Sequence, residues 1–236
     1  MTSANSVTSA NSSPIQFPAM PQLRWRLGAV QLAYSTVADG DQRDPMLRQT
    51  WHQSLGISRG VLPRQVHGTV VVDAMDTPGL LIADGVVSDD PTLALGVYGA
   101  DCPGLCLVAG SLMGVAHCGW RGVAAGIVQQ LVNVMCSRTS IPKNEWLGLI
   151  GPGISCQNYE VDAPVLSART WPATAVTPGR PGHAWLDVAQ VIADDLAQLH
   201  VTAITQSRIC TSADSRLWSY RQQGPGIVQA LMAWRT

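Results

Sequence analysis

Three short apolar blocks follow one another at residues 93–100, 105–109 and 112–116, broken only by Asp-Cys-Pro-Gly and Gly-Ser. Continuous runs of this kind, with no polar residue at every second position, predict strands covered on both faces. Val and Ile concentrate again at 65–74 and 80–88, each segment interrupted by Gly and Asp, and both are predicted to be strands with turns. Residues 23–34, 146–150, 208–211 and 227–234 add further strands, so that a mixed sheet is expected to run through the whole chain.

A helical period appears at 45–55, where Met46, Leu47, Trp51 and Leu55 fall on one face. In 122–136 the residues Val123, Ile127, Leu131 and Val134 repeat the same spacing, which predicts an amphipathic helix opening directly after Trp120 and Arg121. A short helix is predicted at 161–169 and a longer one at 186–199, with Val188, Ile192, Leu196 and Leu199 inward; 35–44 and 172–181 read as loops. No boundary is visible after residue 20, so 21–236 are expected to form a single α/β (α+β) domain. Residues 1–20 repeat TSANS and carry neither a charge run nor an apolar core, and are expected to be a disordered tail.

Hydrophobic residues make up 46% of the chain and charged ones only 13%, so much of it must lie inside or against a partner, and a homo-oligomer is compatible with this balance. The 15 basic residues are 14 Arg and Lys143, set against 16 acidic ones. That excludes a cationic field for nucleic acid and a polybasic membrane patch. The apolar runs fall far short of the roughly 20 residues that span a bilayer. Six cysteines at 102, 106, 118, 136, 156 and 210 show no CxxC pair, and with no signal peptide in view a reducing cytoplasm is expected.

Chemistry concentrates in YGADCPGLCLVAGSLMGVAHCGWRG, residues 98–122. Cys102 and His117 stand at the ends of apolar runs, and Arg121 lies at a predicted helix N-terminus, where outward N–H groups favour an anion. Thiolate and imidazole hold borderline-soft metals and also make up a nucleophile–base pair. His67, in QVHG, lies 35 residues before Cys102, which lies 15 before His117, so these side chains can meet only through tertiary folding. Asp101 either orients a ligand or caps the turn before Pro103, and Arg121 either clamps an anion or forms a structural ion pair, with Arg64 a weaker anion candidate.

The motifs QVHG, ADGVVSDDPTLALGV, ADC, GVAHCGWRG, IGPGISCQNYEV, CTSAD and SYR occur in an order and spacing that resemble the laccase-domain family, over residues 60–221. Its bacterial members carry the label polyphenol oxidase and resemble zinc-dependent purine nucleoside phosphorylases. The resemblance implies layered mixed β-sheets flanked by helices, similar to the catalytic domain of a cytotoxic necrotising factor. It also implies a zinc site, with copper possible, on His67, Cys102 and His117, and catalytic roles for Cys102, His117, Arg121 and Asp101. The implied substrates are purine nucleosides and phosphate. Phosphorolysis of adenosine, inosine, guanosine and methylthioadenosine would accompany deamination of adenosine. A His₂Cys zinc keeps an open position for water or phosphate, and the planar fork of Arg121 suits phosphate. Trp120, Tyr159 and Tyr220 either stack on a purine or pack in the core.

Two segments depart from the family pattern: AYSTVADGDQ stands where a TTR…GG segment is usual, and QQGPGIVQA follows SYR in place of an Arg-Thr-Gly-Arg-like run. Cys118 replaces the usual Ala and either perturbs metal choice or is a harmless small residue. Three other functions compete: a metal-free Cys-His hydrolase on Cys102 and His117, a copper-dependent phenol oxidase, and a weakly catalytic binding protein stabilised by its metal. Five scattered histidines with no HxH pair disfavour the oxidase.

Overall fold

The N-terminal apolar stretch 23–34 folds as a hairpin rather than one strand, β1 (Leu23–Leu27) and β2 (Val30–Tyr34), paired antiparallel from Leu23 opposite Tyr34 to Leu27 opposite Val30. Gly28 allows the reversal by taking φ +58°. In the computed structural model, residues 23–74 and 81–236 are described, so the expected tail at 1–20 and Leu80 lie outside them.

The remaining strands are β3 (Gly60–Val61), β4 (Val71–Asp73), β5 (Gly85–Ser88), β6 (Ala94–Gly99), β7 (Gly104–Ala109), β8 (Leu112–His117), β9 (Leu147–Ile150), β10 (Glu160–Val161), β11 (Val176–Pro178), β12 (Ala184–Leu186), β13 (Ala203–Gln206) and β14 (Gln229–Arg235). The helices are α1 (Pro45–Ser54), α2 (Trp120–Ala125), α3 (Ile127–Cys136), α4 (Ala163–Leu166), α5 (Val188–Gln198) and α6 (Tyr220–Gln223). Instead of one continuous sheet there are three. A five-stranded sheet has the order β1-β2-β14-β6-β3, a six-stranded sheet β13-β9-β7-β8-β5-β4, and a small one β10-β12-β11. This is a mixed α+β single domain of layered sheets and helices.

The continuous apolar runs are explained by layering. In β7, Leu105, Leu107 and Ala109 face α3 and α5, while Cys106 and Val108 face the five-stranded sheet. In β14, Leu231 and Ala233 join that inter-sheet core, while Ala230, Met232 and Trp234 pack on the other side with Trp51 and Leu55. Strand side chains alternate between faces, so a strand buried on both sides must be apolar at every position. The order of layers is therefore α1, five-stranded sheet, six-stranded sheet, then α3 and α5.

Several boundaries differ from expectation for local reasons. The helix predicted at 122–136 is interrupted at Gly126, whose φ of +96° ends α2 and starts α3. Helix α1 begins where Asp44 accepts from the N–H groups of Met46 and Leu47 and Pro45 occupies the first turn. Its outer positions Met46 and Leu47 are exposed, leaving Trp51 and Leu55 as the buried contacts. Residues 208–211 contribute only an isolated bridge, Gly153 to Cys210, because the strand there is β13, parallel to β9. The 172–181 loop contains β11, and the helix expected at 161–169 shortens to α4.

Candidate metal centre

His67, Cys102 and His117 come from three separate segments. Cys102 lies in the turn between β6 and β7, His117 ends β8 beside Gly104 of β7, and His67 sits in the loop before β4. Their ligand atoms lie within 4.8 Å of one another, and the two imidazoles meet edge to face with ring centroids 4.7 Å apart. Two imidazoles and a thiolate suit zinc or copper rather than the oxygen-seeking ions magnesium and calcium. His117 is buried, Cys102 half-buried and His67 exposed, so the group is open on the His67 side.

The backbone at this point is held in sparsely populated conformations. His67 has φ +60° and Asp101 φ +88°, two of only four non-glycine residues with positive φ among those described. At His67 the left-handed turn lets three consecutive N–H groups, of Val66, His67 and Gly68, converge on the carboxylate of Asp84 at 3.1, 2.9 and 2.7 Å. Such a nest of backbone donors is an anion-binding concavity. The same carboxylate, fully buried, accepts from Nδ1 of His117 at 3.0 Å. An ionised carboxylate can only accept, so Nδ1 of His117 carries a proton and Nε2 is the nitrogen left to bind a metal.

Burial works against the charge on Asp84, yet the hydrogen bonds from His117, Gly68 and Val66 outweigh it and hold the carboxyl below its ordinary range. Burial likewise opposes charge on Cys102 and His117. The hydrogen bond and charge of His117, with those of His67, bring the Cys102 thiol down, and Asp84 with Cys102 brings His117 up. The free site thus favours thiolate and imidazolium, and the thiolate is the form that binds metal.

Gly119 explains how closely the chain passes the three donors. A Cβ there would lie 3.0 Å from His67 Cδ2, 3.1 Å from Cys102 Sγ and 3.2 Å from His117 Cε1. Gly122, one turn on, abuts the carbonyl of Gly68, where a Cβ would come to 2.9 Å. The glycines of the HCGWRG motif therefore let α2 close on the QVHG loop.

Around the donors opens a cleft of about 560 Å³, lined among others by Trp120, Arg121, Tyr159, Tyr220 and Arg221. Arg121 makes no ion pair among the described residues; its guanidinium lies over the Trp120 ring at 4.3 Å, which disfavours the structural ion-pair reading. Arg221 lies over the Tyr159 ring at 4.6 Å and donates to the Glu160 carbonyl at 2.8 Å. Asp101 is buried, but its oxygens are engaged by Thr211 Oγ1 at 2.5 Å and by the backbone N–H of Arg221 at 2.7 Å. It ties the Cys102 turn to the 211–221 segment, while the carboxylate on His117 is that of Asp84. Arg64 lies outside this cleft lining, its backbone bridging to Ile82. Cys118 is buried in the core that faces α3 and α5, and burial pushes its thiol far up, as befits a small apolar side chain.

No role for Asp84, Thr211 or Arg221 follows from the sequence, although ADG, CTSAD and SYR carry them. The available signal was an acidic residue before Gly85 at a strand start, which has no distinctive spacing to His117.

The chain is 33% identical over 178 residues to the purine nucleoside phosphorylase PA4543 of Pseudomonas aeruginosa, covering 72% of each chain. It is 35% identical over 186 residues to the purine nucleoside phosphorylase Rv2149c of Mycobacterium tuberculosis, covering 75% of this chain and 72% of that one. Among solved structures, a Neisseria meningitidis protein superposes with a TM-score of 0.81 at 25% identity, over 91% of this chain and 98% of that one. YlmD of Geobacillus stearothermophilus shares the fold with a TM-score of 0.83 at 24% identity, over 93% and 98%. One family description spans residues 32–234, and by that match the protein belongs to the multi-copper polyphenol oxidoreductase laccase family.

Proposed function

We propose that this protein is a zinc-dependent purine nucleoside phosphorylase that also deaminates adenosine, with His67, Cys102 and His117 as metal ligands. The observation that carries the reading is the convergence of these donors at an aromatic, arginine-bearing cleft large enough for a nucleoside. Relatives named purine nucleoside phosphorylase support it. The described residues contain one three-donor group, which speaks against the several copper centres that the family's description names.

When bound, zinc supplies Lewis acidity beside the substrate. The chain's own residues do the rest. Trp120 and Tyr220 offer ring faces to a purine. Arg121, with no carboxylate partner among the described residues, holds phosphate through its planar fork. Asp84 holds the Nδ1 proton of His117 and so fixes the ring with Nε2 as the nitrogen left for a metal. Asp101 acts by positioning, since it accepts from the backbone N–H of Arg221 at the cleft wall and is itself tied to Thr211.

The same Cys102–His117 pair also fits a metal-free Cys-His hydrolase, because His117 lowers the Cys102 thiol. Purified, metal-analysed protein incubated with adenosine, inosine and methylthioadenosine, with and without phosphate, separates the readings. Phosphate-dependent release of free base, and inosine formed from adenosine, both lost in Cys102→Ala and on chelation, are expected. Turnover that survives complete metal removal would move the assignment to the hydrolase.

A further inference from the structure

Breaking the bond between purine and C1′ leaves an electron pair on the base, and a proton delivered to that base lowers the barrier. On the function proposed above, the cleft therefore needs a proton donor apart from the three metal donors. Asp101 is engaged through both oxygens. Glu160 faces away, accepting from Arg180 Nε at 2.9 Å and from its backbone N–H at 3.0 Å. Arg121 and Arg221 do not release protons near neutrality. The Tyr98 hydroxyl accepts from Arg48 at 3.0 Å, and Tyr220 stands 60% exposed at the rim.

Tyr159 differs from all of these. Its ring packs against the core of α3 and α5, and its backbone carbonyl is held by the N–H of Leu186 at 3.1 Å. Arg221 covers one ring face. The hydroxyl has no hydrogen-bond partner among the described residues, although the residue lines the cleft. Burial pushes the phenol up to about 12; the charges of Cys102 and Asp101 add to this, and those of Arg221 and Arg121 oppose it. The phenol thus keeps its proton at neutral pH and has no acceptor for it among the described residues.

We infer that the Tyr159 hydroxyl donates the proton to the departing purine, with its ring fixed by the core on one side and Arg221 on the other. A phosphate oxygen forms the new bond to C1′, the C1′–N9 bond breaks with its electron pair passing to the purine, and the phenolic proton moves to a purine nitrogen. The proton of the incoming hydrogen phosphate then returns to the phenolate. The products are ribose 1-phosphate, neutral base and neutral Tyr159, with charge and protons balanced.

The test compares Tyr159→Phe with the unaltered, metal-loaded protein on inosine and on 7-methylguanosine, whose cationic base departs without needing a proton. On inosine, kcat is expected to fall by about 10²–10⁴, the usual worth of a general acid, with KM little changed. On 7-methylguanosine the fall is expected to be far smaller. Equal falls on both substrates, a loss confined to KM, or no loss on inosine would each overturn the inference. Absence of phosphorolysis by the unaltered protein would instead overturn the function on which it rests. Near-ultraviolet circular dichroism and metal content confirm that the variant is folded and loaded.

Discussion

Asp84 Oδ1 and His117 Nδ1 lie 3.0 Å apart across 33 residues of sequence, and the same carboxylate collects the three N–H groups around His67. One buried acid thereby aligns two of the three proposed metal donors. Replacing it by Asn removes an acceptor and lets the new amide donate to Nδ1, which would move the His117 proton onto the donor nitrogen. Asp84→Asn is expected to weaken metal affinity by about 10–100-fold. Competition with a chromophoric chelator measures this, and an unchanged affinity would mean that His117 is oriented without Asp84.

Gly119→Ala tests how tightly the donors are packed. The backbone of Gly119, at φ −65° and ψ 152°, is open to any residue, so the fold itself should tolerate the change within about 1 kcal/mol. The added methyl group would press on His67, Cys102 and His117 together. Reduced metal content with a nearly unchanged melting temperature is the expected result. Full metal loading would show that the donors can withdraw.

The break between α2 and α3 makes the opposite prediction. Nothing lies within 4 Å of a Cβ at Gly126, so the cost of Gly126→Ala is confined to its left-handed backbone. A loss of about 1–2 kcal/mol in urea unfolding is expected. A gain in stability would indicate that the two segments straighten into one helix.

His52, beneath the five-stranded sheet, contributes a pH dependence. Burial, with help from the charge of Arg48, lowers it to about 4, and its Nε2 is buried with no partner among the described residues. An unfolded chain binds this proton near pH 6.5, whereas the folded one resists it until about 4. The stability held above the unfolded value therefore declines as pH falls from 6.5 toward 4. His52→Gln is expected to flatten that part of the urea-midpoint profile relative to the unaltered protein. Superimposable slopes would mean that His52 is solvated in solution.

Much of the architecture was readable along the chain. The runs at 93–100, 105–109 and 112–116 became β6, β7 and β8, and the spacing of Val188, Ile192 and Leu196 became the inward face of α5. Periodicity is a local property and survives in one dimension. Reading failed where one residue's backbone decided the matter. Gly28 turned an expected strand into a hairpin, and Gly126 split an expected helix, because positive φ leaves no trace in hydrophobic spacing.

The sequence by itself determined most of the element types and the two-sided burial of the central strands, because apolar period is carried residue by residue, whereas the donor set His67, Cys102 and His117 is an expectation that comes with the family resemblance. Tertiary structure alone decided that Asp84, not Asp101, meets His117, that Arg221 covers Tyr159, and that Gly119 lies against all three donors. These contacts join residues that are far apart in the chain. Each arises from the packing of layered sheets and the left-handed turns at His67 and Asp101, and neither feature is encoded in the spacing of any single segment.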